Sequence, residues 1–231
     1  MADWMGAPML DTLPDLILAV GALGTASYGL VDVSKAFGGG VSNHGFDRIA
    51  AMMRKLYPAE PGPLGLAEAL DALRAGWING KPMEEQIAQA RRLIRLRLDP
   101  AGAPDLAAAT GLDASRLSAL AGKLDCGEPL DVSDQAELDR FEEIVTLLLD
   151  GAYQRADQAY RNVAKAWAVA VSLALALLGG WLLPRQGAYP GSAEFWQAVV
   201  IGLLATPLAP VSKDLASALG AGVKALQAMR K

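Results

Sequence analysis

Residues 16–35, LILAVGALGTASYGLVDVSK, constrain the fold more than any other stretch of this chain. Twenty residues at the helical rise of ~1.5 Å reach about 30 Å, the depth of a bilayer core. No charge interrupts the run before Asp32. Its polar positions keep to one side. Gly21, Thr25, Tyr28, Asp32 and Lys35 are spaced 4, 3, 4 and 3 apart, which stacks them along a single helix face. A span with one polar face needs water or another helix beside it.

Two more runs share this character. Hydrophobic residues make up 52% of the 231 positions, and the excess is concentrated in residues 16–35, 166–183 and 195–211. The last run contains Pro207 and Pro210. A proline within a span kinks it and frees backbone carbonyls that neighbouring helices must satisfy.

Between the first and second runs the pattern is that of a soluble helical region. Phe46, Ile49, Met53 and Leu56 fall at helical spacing, and Pro58 stops that helix. Ser42–Asn43–His44–Gly45 reads as a loop that continues from three successive glycines. Leu66, Leu70, Leu73 and Trp77 mark a second helix closed by Asn79-Gly80. A third opens at Pro82 and ends near Arg95 and Arg97, a charge order that suits the helix dipole. Two short helices follow, split at Gly111. Ser133 is then expected to cap a long helix with Asp134 in its first turn. No proline follows until Pro184, so this helix is expected to run continuously to residue 183, with Gly151 as the place for a break.

These segments predict an all-α membrane protein with three transmembrane helices and a helical cytoplasmic domain inserted between the first and second. The expected order is an outer tail at 1–13, a first span at 14–37 capped by Asp11 or Thr12, and a helical domain at 38–133. A helix at 134–183 would include the second span. An outer linker at 184–194, a third span at 195–212 and an amphipathic cytoplasmic helix at 213–231 complete the chain.

Charge sets the expected orientation. Of 21 Lys and Arg residues, none precedes Lys35, sixteen lie between Lys35 and Lys165, one is Arg185, and four follow Val211. The positive-inside rule then places the N-terminus outside and the central region and C-terminus in the cytoplasm, as in a bacterial-type inner membrane. Trp4, Trp181, Tyr189 and Trp196 would sit at the outer interface and Trp167 at the inner one. The acidic N-terminus has no positive segment of the kind a secretory signal requires.

Several features point toward function. The stripe of Gly21, Thr25, Tyr28, Asp32 and Lys35 would line the axis of a homo-oligomeric channel. The plainer alternative pairs Asp32 with Lys35 at the inner interface and bonds Thr25 and Tyr28 to a neighbouring span. Gly21, Thr25 and Gly29, with Ala22 and Ala26, form small-residue series suited to close helix packing, within one chain or between copies. Arg91, Arg92, Arg95 and Arg97 form a basic cluster, and Lys213 a second boundary cation. They suit lipid headgroups or an acidic partner surface, or simply a solvated helix face.

Other classes fall away. The net charge of −4 argues against nucleic acid as a partner. The residues around Gly111 have helix-turn-helix spacing, but acids outnumber bases there, so a packing hairpin is the better reading. One cysteine, Cys126, and one histidine, His44, leave no cysteine or histidine metal cluster to build. No phosphate-binding loop or nucleophile elbow is present, so neither an enzyme nor a cofactor is expected. The sequence therefore favours a homo-oligomeric channel or pore-like assembly in contact with membrane lipids. A membrane-anchored scaffold or signalling subunit that recruits a cytoplasmic protein is the alternative.

Overall fold

The computed structural model describes residues 8–57, 64–182, 188–212, 218 and 221. Every regular element among them is helical. In order they are α1 (Pro8–Val33), a 3₁₀ turn (Ser34–Ala36), α2 (Ser42–Leu56), α3 (Leu66–Ile78), α4 (Met83–Arg95), α5 (Ala103–Thr110), α6 (Ala114–Cys126), α7 (Val132–Leu182) and α8 (Ala193–Leu208). Two compact units emerge. One comprises residues 1–38 and 162–231, the other residues 39–161.

The 39–161 unit is a helical bundle with a conventional core. α2 contributes Ile49, Met53 and Leu56, α6 contributes Leu117 and Leu120, and α7 contributes Phe141, Val145 and Leu149, all essentially inaccessible to water. Each such side chain is stabilised by ~1.5–3 kcal/mol relative to exposure. The first 30 residues of α7 belong to this unit. The 39–161 unit therefore takes in residues on both sides of position 133, because α7 supplies one wall of its core.

Local chemistry explains the helix ends. Asp131, not Ser133, caps α7: its Oδ1 accepts from the backbone N–H of Ser133 at 2.7 Å and of Asp134 at 2.8 Å. Asp113 caps α6 in the same way, accepting from Arg116 N–H at 3.0 Å. Gly111 takes φ 73° between α5 and α6, a left-handed conformation that glycine adopts without a Cβ penalty. Gly38, Gly39 and Gly40 take φ of 67°, 95° and 48°, so the chain turns after the 3₁₀ segment on three successive left-handed residues.

Ser42–Gly45 is not a loop. These residues form the first turn of α2, with Ser42 N–H bonded to the Gly39 carbonyl at 2.9 Å. Gly45 is glycine for packing: a Cβ there would lie 2.8 Å from the Ala156 carbonyl and 2.6 Å from the Trp77 ring. His44 accordingly sits exposed on a helix.

The other unit contains α1, the part of α7 beyond Arg161, and α8. Its α1 starts at Pro8, six residues before the expected span, with Asp11 and Thr12 inside the helix and Pro8 at a first-turn position that tolerates the missing N–H. α7 passes Gly151 without a break, and a Cβ there would meet only the guanidinium of Arg155. At 51 residues, α7 is roughly 75 Å long. α8 has 16 residues and Pro207 inside its last turn, giving about 24 Å. That is shorter than the expected third span of 195–212. Two helical segments, Leu16–Ala36 and the apolar part of α7, have the length and composition to cross a membrane.

Candidate functional site

Small residues bring the helices of the 1–38/162–231 unit together. A Cβ on Gly21 would overlap the side chain of Ser212, and one on Gly24 would overlap the Ala205 carbonyl. At Gly202, on α8, a Cβ would lie 2.6 Å from Leu173 Cα on α7. A Cβ on Gly180 would overlap the Tyr189 hydroxyl. Such absences of side chain let backbones approach closely and gain dispersion contact.

Polar groups within the seams are satisfied there. The buried Ser172 hydroxyl bonds the Gly202 carbonyl at 2.7 Å and lies 3.2 Å from Thr206 Oγ1. Ser27 is fully buried and donates to the Leu23 carbonyl at 2.8 Å. Ser34 and Ser212, which share the tripeptide Val-Ser-Lys, each donate to the carbonyl three residues back, at 2.6 Å and 3.1 Å. Ser172, Thr206, Gly24 and Gly202 were not singled out from sequence. The available signal was Gly202 and Thr206 four apart on α8, with Ser172 the lone polar residue in its apolar run.

Outside the seams much of the surface is apolar. Leu16, Leu18, Leu30, Trp167, Leu178, Trp181, Trp196, Val200 and Leu203 are among the exposed side chains. Only 28% of the apolar window of α1 and 17% of that of α7 is buried, so neither is packed as the core helix of a soluble protein would be. Tyr189 is buried and meets Phe195 edge-on, with ring centroids 5.5 Å apart, and Phe195 meets Trp196 at 5.4 Å.

The polar stripe of α1 divides between environments. Gly21 belongs to the seam with Ser212, Tyr28 is half-buried, and Thr25 and Asp32 are exposed. Thr25 donates to the Gly21 carbonyl of its own helix at 3.0 Å rather than to a neighbour. Lys35 pairs with Asp32 at 2.6 Å. The face that packs is Val20, Gly21, Gly24, Ser27 and Val31, rotated from the stripe. Ala22, Ala26 and Gly29 stay exposed, and a Cβ on Gly29 would touch nothing within 4 Å.

The arginine cluster separates too. Arg97 is buried in the 39–161 unit with its guanidinium 5.6 Å from the centre of the Tyr57 ring. Arg95 pairs with Glu142 of α7 at 2.6 Å. Arg91 is half-buried and Arg92 exposed. Lys213, Trp4 and Arg185 lie outside the described residues, as does most of the expected helix at 213–231. Burial pushes the Tyr57 hydroxyl above its ordinary pKa, against the lowering influence of Arg97. That hydroxyl donates to the Leu64 carbonyl at 2.7 Å. Burial likewise raises Tyr153, which lies 6.4 Å from Trp77 between ring centres and whose hydroxyl has no hydrogen-bond partner among the described residues. Neither tyrosine is poised to ionise near neutral pH. No family model, curated protein or solved structure matches the chain.

Proposed function

We propose that this chain is a multi-pass inner-membrane protein that anchors a cytoplasmic helical interaction module, the 39–161 unit, as a scaffold or signalling subunit. The observation that carries this reading is the inverted surface of the 1–38/162–231 unit. Gly21, Gly24, Gly202, Ser27, Ser172 and Thr206 face inward at helix seams, while Trp167, Trp181, Trp196 and several leucines face outward. Lipid tolerates such a surface and water does not. Three spans with the N-terminus outside satisfy the distribution of Lys and Arg. α8 would reach across with the help of the residues that follow it, or thin the bilayer locally. The 39–161 unit has its own core, and α7 runs from that core into the apolar segment as one helix.

A homo-oligomeric channel is the second reading. It is favoured by Thr25 and Asp32, which lie exposed on α1 together with the small residues Ala22, Ala26 and Gly29. That face is available to copies of the same helix. The Asp32–Lys35 pair would then form a ring at the cytoplasmic mouth.

Topology is tested with one native and one introduced thiol. Cys126 is exposed and should react with an impermeant maleimide only after the membrane is opened. Ala188→Cys, placed beside Tyr189, should react in intact cells. Reaction of Cys126 from outside would overturn the orientation. The two functions separate in reconstituted liposomes. A homogeneous oligomer that passes ions, with selectivity altered by Asp32→Ala, supports the channel. A tight membrane, together with a defined protein cross-linked to the 39–161 unit of the full chain, supports the anchor.

A further inference from the structure

A cleft of about 570 Å³ opens on the 39–161 unit, between the end of α2, the α5 helix and α7. Its apolar lining comes from Met52, Ala109 and Leu148, each half-buried, and from Ala108, which is exposed. Tyr57 closes part of it, with the Arg97 guanidinium over the ring. The charges that line it, Arg54, Lys55 and Asp105, are all exposed. Among the described residues none of these three belongs to an ion pair. Two cations against one acid leave the lining with an excess of one positive charge.

We propose that this cleft binds an amphipathic anion, an apolar chain or ring that carries a carboxylate or phosphate group. The size falls within the range of small-molecule sites, ~300–1,000 Å³, which are mostly apolar with a few placed polar groups. Arg54 and Lys55 supply directed donors for an anionic head, since guanidinium and ammonium groups form their strongest hydrogen bonds with such oxygens. Met52, Ala109 and Leu148 supply the surface on which its body is desolvated. Cations in the last turn of α2 also complement the helix dipole, but that role does not require them to border an apolar cleft. Asp105 weakens the site for an anion, and this gives the proposal a directional test.

The test uses the full chain in nanodiscs of neutral lipid, with ¹³C-methyl methionine as the reporter. Met52 lines the cleft and the neighbouring Met53 is fully buried in the core, so Met53 checks that each variant is folded. Octanoate and octyl phosphate should each shift the Met52 signal in a saturable manner, at least tenfold more tightly than octanol. Arg54→Gln combined with Lys55→Gln should weaken that binding at least tenfold, and Asp105→Asn should tighten it severalfold. Ala108→Trp should fill the cleft and abolish the shift. Equal affinity for octanol, or binding unchanged by the double variant with Met53 unperturbed, would overturn the proposal, as would a Met52 signal that no anion moves. The source is read in the same system. If anionic-lipid nanodiscs shift Met52 with nothing added, a membrane headgroup is the occupant. If only the free octyl anions do so, the occupant is a soluble molecule.

Discussion

The two units solve the same problem, holding helices together, by opposite means. The 39–161 unit fills its interior with large side chains such as Phe141, Ile49 and Leu149, and with the buried arginine Arg97. The other unit closes on Gly21, Gly24, Gly180 and Gly202 and exposes Trp167, Trp181 and Leu182. A single helix, α7, follows both rules. It buries Phe141, Val145 and Leu149 near its start and only small residues, Ala168 and Ser172, beyond Arg161. In water, burial of bulky apolar groups drives association. In the lipid that we propose for the other unit that drive vanishes, and what remains is close backbone contact and satisfied hydrogen bonds.

The sharpest way to break the contrast is to reverse the rule in each unit. Phe141→Ala should cost the 39–161 unit ~3–5 kcal/mol through lost burial and a cavity, seen as a lower denaturation midpoint. Gly24→Val should come next, at ~3 kcal/mol, since the added carbon meets the Ala205 backbone and the overpacking cannot be relieved by a rotamer change. Its readout is loss of α1–α8 cross-linking, while Gly29→Ala, with open space around it, should leave cross-linking intact. Ser172→Ala should cost ~0.6 kcal/mol and no more than ~1.7 kcal/mol, the average and the maximum for hydrogen bonds between membrane helices, checked by reversible unfolding in mixed micelles.

The smallest effect concerns the α7 cap. Backbone hydrogen bonding from Asp134 leads the causes that hold the Asp131 carboxyl below its ordinary pKa, with the Ser133 contacts and Lys123 adding to it. A lowered folded-state value means stability that is present above the unfolded pKa of 3.8 and lost as pH falls through the folded value. Protection of the amides in the first turn of α7, measured against their intrinsic exchange rates, should therefore fall below about pH 4. Asp131→Asn, which still caps but does not titrate, should remove that pH dependence. Lys123, raised above 10.5 chiefly by its hydrogen bond to Asp134, contributes in the opposite window, up to and beyond its unfolded pKa, and loses its contribution as pH rises through the folded value.

Helix limits were legible where the chain carries a hard stop. Asn79-Gly80, Pro82 and Gly111 mark them plainly, and the structure places helix ends there. They were not legible where tertiary packing chose between similar residues. Gly45 looks like a loop glycine, but the Ala156 backbone requires it within α2. Asp131 and Ser133 are both good caps, and the position of the first helical turn decided for Asp131. Arg97 looked like one of four clustered cations and is instead a core residue over Tyr57. The stripe on α1 was readable as a periodicity. Which face would pack was not, because glycine and serine carry little hydrophobic signal and the partner positions, Ala205 and Ser212, lie almost two hundred residues away.

The unbroken course of α7 fixes the length of the chain as firmly as its composition. Each residue inserted after Gly151 would turn the α7 residues that follow it in the 39–161 unit by ~100° and advance them by ~1.5 Å. One or two extra residues would thus turn Tyr153 and Ala156 away from the core that they share with Phe141, Val145 and Leu149, whereas seven would return them to within ~20° of the original heading. Tolerance to insertions along this stretch should rise and fall with the helical turn, so that the count of residues between Leu149 and Tyr153 carries information that no single one of them does.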